Sequence, residues 1–238
     1  MNRIQAILFE PVGCLAEFPA APFHEIAAGF FDPRKRARPH PPSQSGSRSY
    51  WHLLNLIEAA DPLQIEANRA AIESLEIQAV ATAAVYEDVV PALSELQAMG
   101  IHLLLASSLS THAVSHFLQG PLRDCFSAIW DRDTSGGIKA VPLSRALAAA
   151  SVPPERAMFL ADTAEALKVS RNLGINAILM MNDPDEARRL ALHNPAGGPA
   201  GGIVSLHELP DFLRLILAQN ATAQNAAGEP QLDSQAST

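Results

Sequence analysis

Four stretches of this chain carry side chains able to do chemistry, three of them directly after a short apolar run. Glu10 closes the run Ile4–Phe9 and is followed by Pro11, Gly13 and Cys14. Ser107 and Ser108 follow IHLLLA, and Asp162 follows AMFLA. Lys139 lies in GGIKAVP, between the second and third of these. A carboxylate, a hydroxyl, an ammonium and a second carboxylate that meet in one crevice suit displacement at an electrophile. One carboxylate attacks, the hydroxyl and ammonium hold anionic oxygens, and the last carboxylate anchors Mg²⁺ or steers water. That is nucleophilic hydrolysis through a covalent ester or acyl-phosphate intermediate.

The elements that must position these groups can be read from periodicity. IHLLLA, SAIW, AMFLA and NAILMM are apolar runs of strand length, separated by the helical text PALSELQAM, THAVSHFL, PLSRALAAA and EALKVSRNL. Near-continuous apolar strands joined by helical crossovers predict an α/β fold with a parallel sheet covered on both faces. Such sheets bind ligands beyond the carboxyl ends of their strands, where the four stretches fall. Residues 16–86 have a different rhythm: FHEIAAGFF, YWHLLNLIEAA and LQIEANRAAIESLEI space their Leu and Ile three and four apart. They predict an all-α insert after the first strand. It includes 32–48, DPRKRARPHPPSQSGSR, with four prolines and five Arg or Lys, which reads as a solvated basic loop. From 218 onward the text lacks apolar mass and predicts a disordered tail, 218–238.

Composition narrows the function classes. The 238 residues are 48% hydrophobic, enough for a sizeable core, and the formal charge of −8 favours neither nucleic acid nor an anionic membrane surface as partner. Cys14 and Cys125 are too few for a disulfide framework, which suits a cytoplasmic protein. The first apolar run is too short for a signal peptide or a membrane span.

The order of the four stretches resembles the haloacid dehalogenase superfamily of phosphatases and dehalogenases. In that family a strand is followed by Asp-x-Asp-Gly-Thr and then by a helical cap. ILFEPVGCL stands in the place of the first motif, LLLASSLS resembles the second, GGIKAVP resembles the Lys-x-x-Pro of the third, and FLADTAE the fourth. The resemblance spans roughly residues 4–215 and implies a three-layer Rossmann-like core, 1–15 and 87–217, with the cap at 16–86. It implies a catalytic set of Glu10, Val12, Ser107, Lys139 and Asp162. The metal-side positions would be Glu10, the Val12 carbonyl and Asp162.

The departures fall where chemistry is done. Glu10 replaces the family's nucleophilic Asp, Val12 its second Asp and Cys14 its Thr, while Gly13, Ser107, Lys139 and Asp162 remain. The extra methylene of Glu10 moves its carboxylate by up to about 1.5 Å, and a misplacement near 1 Å costs on the order of a hundredfold in rate. Val12 cannot protonate a leaving group, a role worth roughly 10²- to 10⁴-fold. In the family's dehalogenases the second position is not acidic and no metal is used, but their nucleophile is still Asp. With about three protein oxygens offered to an ion that wants about six, Mg²⁺ binding is expected to be weak or absent. These departures favour a pseudoenzyme that binds a small anionic molecule or a protein partner. The alternative is a weakly active hydrolase, of phosphatase or 2-haloacid dehalogenase type, using a carboxylate nucleophile.

Each residue also has a plainer reading. D-T-A-E, Asp162 to Glu165, matches a capping box at a helix start, and Ser107 or Ser108 suits an N-cap. Lys139, after Gly136 and Gly137, reads as a solvated loop lysine. His112 and His116 are four apart on one helix face with no third ligand, which makes them a surface pair. Cys14 has no His near it in sequence and reads as a small buried thiol.

Overall fold

A computed structural model describes residues 4–30, 45–181 and 201–227. Its chain order is β1 (Ala6–Phe9), the tight turn α1 (Pro11–Cys14), β2 (Ala16–Glu17), α2 (Ala20–Gly29), α3 (Gly46–Ala59), α4 (Pro62–Ala81), β3 (Ala84–Val85) and α5 (Val89–Ala98). It continues with β4 (His102–Ala106), α6 (Thr111–Phe117), β5 (Ala128–Trp130), α7 (Arg132–Ser135), α8 (Ala140–Ala149) and β6 (Ala157–Ala161). The last elements are α9 (Ala164–Asn172), β7 (Asn176–Met180), β8 (Gly202–Ile203) and α10 (Glu208–Ala227). Six strands form one sheet in the order β5-β4-β1-β6-β7-β8, every pairing parallel. Both faces are covered, as the apolar runs require: all four residues of β1 and all five of β6 are buried. This is the α/β Rossmann-like architecture expected. Its helical cap, α2 to α4, stands between β2 and β3, which pair antiparallel as a two-stranded neck.

β1 lies at the centre, and its register decides what meets at the sheet's edge. Phe9 is level with Leu105 of β4 on one side and with Leu160 of β6 on the other. Glu10, Ser107 and Asp162 therefore leave the sheet within one residue of the same height, on strands about 4.8 Å apart.

Two boundaries differ from the expectation. The basic stretch 32–48 is not loop throughout: residues 32–44 lie outside the described residues, but Gly46–Arg48 form the first turn of α3, where the Ser45 hydroxyl accepts from the Arg48 amide. Ser at the N-cap outweighs the polar composition. The expected tail also begins later. α10 runs to Ala227, because Leu209, Leu213 and Ile216 anchor its first turns in the core and the following Ala-rich text propagates a helix readily. Residues 228–238 lie outside the described residues.

The cap rests on the core through polar contacts. Glu76 of α4 is fully buried, and Arg132 of α7 grips it with both terminal nitrogens, at 2.6 and 3.0 Å. The Ser110 amide donates to the same carboxylate at 3.1 Å. Burial pushes the Glu76 carboxyl up, while Arg132 and the Ser110 amide oppose that rise. Glu73 meets His112 at 2.7 Å and Arg69 meets Asp133 at 3.5 Å near the same seam. Removing one partner of a buried pair strands the other's charge. Glu76→Ala or Arg132→Ala is therefore expected to cost about 3–5 kcal/mol in chemical denaturation. The joint replacement Glu76→Leu with Arg132→Met is expected to lose far less, and a wild-type midpoint for either single variant would deny the clamp.

Candidate active site

Glu10 sits one residue past β1 with extended backbone, and the turn after it has Gly13 at φ 80°. Gly is needed there for space as well as for φ: a Cβ would lie 1.8 Å from Ser47 Oγ and 1.9 Å from Asp162 Oδ2. The two oxygens, one from the cap and one from the loop after β6, thus crowd the same point above Gly13.

The Glu10 side chain is 5% exposed. Ser107 Oγ donates to its Oε1 at 2.7 Å and accepts from the Leu109 amide at 3.1 Å, which fixes the hydroxyl's direction. Burial pushes the Glu10 carboxyl up to about 8; the Ser107 hydroxyl and the Ser108 and Val12 amides pull it down, and the Asp162 charge raises it again. At neutral pH the group is mostly a neutral acid. Val12 is fully buried, as is Cys14, whose thiol donates to the Leu160 carbonyl at 3.1 Å. Burial pushes that thiol well above its ordinary value, so it is a packing residue and not a nucleophile.

The plainer readings of three residues fail on the helix starts. The N-cap of α9 is Thr163, whose hydroxyl accepts from the Ala166 amide at 3.2 Å, so Asp162 is not the cap. The N-cap of α6 is Ser110, not Ser107 or Ser108. A cap residue must sit where the chain turns into its helix, and strand length sets that position. Glu165 stands in the first turn of α9, and its Oε2 is buried without a hydrogen-bond partner.

Lys139 departs from both readings made of it. Its amide donates to Ser108 Oγ at 2.8 Å, which brings its backbone to the crevice. Its ammonium turns to the cap instead, donating to Asn55 Oδ1 at 2.7 Å and to Glu58 Oε2 at 2.5 Å. With 12% of the side chain exposed, it is no solvated loop lysine, and it makes no ion pair with Glu10.

Sequence reasoning missed the groups that the cap brings. Tyr50 of α3 is fully buried, and its hydroxyl lies near those of Ser107 and Ser108 without forming a hydrogen bond of good geometry to either. Burial pushes this phenol well above its ordinary value, and the charges of Glu10 and Glu76 add to the effect. Tyr50 left no signal beyond an aromatic on a helix. Glu76 did leave one, since it shares the buried stripe Ile72, Glu76, Ala79, Val80, where a carboxylate is out of place unless paired.

For Mg²⁺ the donor set is spare: Glu10 Oε1 already accepts from Ser107, and position 12 offers a backbone carbonyl in place of a carboxylate. Among the described residues no group of three or more His, Cys, Asp or Glu is arranged to hold a metal ion, so His112 and His116 make no site either. His112 instead bonds Glu73 of the cap.

With this geometry in place, comparison with known proteins identifies the class. The family model of haloacid dehalogenase-like hydrolases matches residues 14–174, and the chain belongs to that family. The match begins at Cys14, past Glu10 and Val12, so it does not depend on those two positions. No curated protein matches. Among solved structures, the chain is similar to a haloacid dehalogenase-like family protein from Streptococcus pneumoniae, with TM-score 0.64 and 17% identity over 89% of this chain and 99% of that one. It is also similar to CbbY from Rhodobacter sphaeroides in complex with phosphate, with TM-score 0.58 and 24% identity over 87% and 96%. A third is the L-2-haloacid dehalogenase from Xanthobacter autotrophicus with chloropropionic acid covalently bound, at TM-score 0.58 and 16% identity over 89% and 98%. These likenesses establish a shared fold.

Burial of Glu10 has a consequence for stability with a definite sign. Its folded pKa is raised, so the native state keeps a proton that the unfolded chain releases. The stability it contributes is complete below its ordinary value of 4.5 and is lost as pH rises to about 8. In thermal melts across this window, wild type is expected to lose stability relative to Glu10→Gln, by the order of a few kcal/mol at the alkaline end. Parallel pH profiles for the two proteins would show that Glu10 is ionised in the fold.

Proposed function

We propose that this chain is a haloacid dehalogenase-fold protein that has given up turnover and keeps its crevice as a binding site for a small anionic molecule. One observation carries the reading: the nucleophile's place is held by a carboxyl that is 5% exposed, bonded to Ser107 and raised to about 8 by burial. A neutral acid is a poor nucleophile, and among the described residues neither of the other motif positions supplies the deficit. Val12 has no proton to give, and the ammonium of Lys139 is engaged by Asn55 and Glu58. The anion follows from the Ser107 and Ser108 hydroxyls at the sheet edge, with Lys139 joining them if its ammonium leaves its cap partners. The phosphate complex of the similar Rhodobacter protein supports the same choice. A protein partner engaging the cap is the other role open to such a fold.

Mg²⁺ has little part in this function. Calorimetry is expected to detect no binding tighter than millimolar, and a micromolar affinity would favour an enzyme.

Restoring acid at both degenerate positions tests the reading directly. Wild type is expected to hydrolyse no small phosphate ester above background, with or without Mg²⁺. Glu10→Asp with Val12→Asp is expected to gain measurable turnover, and each single change less, because groups that act as a unit are non-additive. Val12 is fully buried, so the fold of each variant is checked by melting first. Robust turnover by wild type, on phosphate esters or on 2-haloacids, would overturn the proposal and establish a hydrolase with a glutamate nucleophile.

A further inference from the structure

We propose that the Tyr50 hydroxyl of α3 is a ligand-binding group, the donor with which the cap recognises an oxyanion held over Ser107 and Ser108. The inference rests on the reading of the crevice as an anion site and names the cap's contribution to it. Tyr50 lies outside the four stretches that carry the family resemblance.

The hydroxyl is not what holds the ring in place. Tyr50 is fully buried, and its ring centroid lies 5.1 Å from that of Phe23 of α2, itself fully buried. A phenylalanine would make the same ring contact. The Tyr50 oxygen has no hydrogen-bond partner of good geometry among the described residues, and a buried polar group left unpaired costs free energy that a phenylalanine would avoid. A well-packed protein seldom keeps such a group idle. Its position gives it a task, since it stands near the Ser107 and Ser108 hydroxyls and close enough to Glu10 to feel that group's charge.

The neighbourhood on α3 points the same way. Ser47 is three residues earlier and so on the same face of the helix, and its Oγ stands beside Asp162 Oδ2 above Gly13. The first turns of α3 thus present two hydroxyls to the crevice, one over the turn after β1 and one beside the loop after β4. The direction of the nearby protons decides what the crevice accepts. The Ser107 proton is given to Glu10, whereas Ser108 Oγ accepts from the Lys139 amide and has its own proton to offer. Burial keeps the Tyr50 phenol protonated. Ser108 and Tyr50 therefore face an incoming group as donors, and the oxygens of a phosphate or carboxylate can only accept. Hydrogen bonds to such charged oxygens are stronger than neutral ones, and a ring locked by packing loses little freedom in making them.

The test uses the full chain, with inorganic phosphate and acetate as separate probes so that the class of oxyanion is read directly. Tyr50→Phe is expected to bind the preferred probe about tenfold more weakly than wild type, or about 1.4 kcal/mol. Without ligand it is expected to melt at or above the wild-type temperature. Saturating probe is expected to shift the ultraviolet absorption of tyrosine in wild type. The chain has two tyrosines, and loss of the shift in Tyr50→Phe assigns it to Tyr50. Equal affinity in the two proteins, or an unchanged tyrosine spectrum at saturation, would overturn the role of Tyr50 and leave the anion site standing. A clearly lower melting temperature for Tyr50→Phe would show that the hydroxyl is already paired in the free protein and would overturn it as well. Failure of wild type to bind either probe would overturn the anion site and the Tyr50 donor together.

Discussion

The parallel register of β1 between β4 and β6 is the constraint on which everything else depends. Because Phe9 is level with both Leu105 and Leu160, the next residues of three strands emerge together at one edge. The sheet can hold that register because its central strands are buried on both faces and any slip would put their contacts out of step. Gly13 then allows the chain to turn under Asp162 and Ser47, where a larger residue has no room.

Among the described residues no cation acts on Glu10 at the centre of that edge. Glu10 and Asp162 bring two acidic groups into a buried space, and the one cation in the motif set, Lys139, is engaged elsewhere. A buried carboxyl without a cation lowers its free energy by holding its proton, and Glu10 does so. The cap solves a related problem in the opposite way. Glu76 is more deeply buried than Glu10, yet it faces a guanidinium that holds it in a two-point grip and a backbone amide that donates to it. The protein therefore contains two buried glutamates of different character: one neutral and central to the crevice, the other paired and joining cap to core. The family relationship lies in the fold and in the order of the loops. Glu10 and Val12 follow β1 directly, and the sheet that presents them keeps a regular parallel register.

Much of this was legible in the chain as text. Apolar runs of strand length alternating with helical spacing specify a parallel sheet, because only helical crossovers return a strand to the same direction. The chemically able residues follow those runs, which places Glu10, Ser107 and Asp162 at one edge before any coordinate is known. The type of residue at positions 10 and 12, a glutamate and a valine, was equally plain.

Tertiary structure alone decided which partner each polar group takes. Sequence offered Asp162, Ser107 and Ser108 as helix caps, and the caps are Thr163 and Ser110, because cap geometry depends on where each strand ends to within one residue. It left Lys139 between solvent and crevice, and the ammonium chose a third place, on a helix some eighty residues earlier in the chain. No local pattern encodes that pairing. Tyr50 and Glu76 reach the core from the cap for the same reason: contacts between distant segments follow from how two folded surfaces meet. Periodicity is a property of neighbours in sequence and determines the elements, whereas charge pairing and protonation are properties of neighbours in space and are settled only when the elements pack.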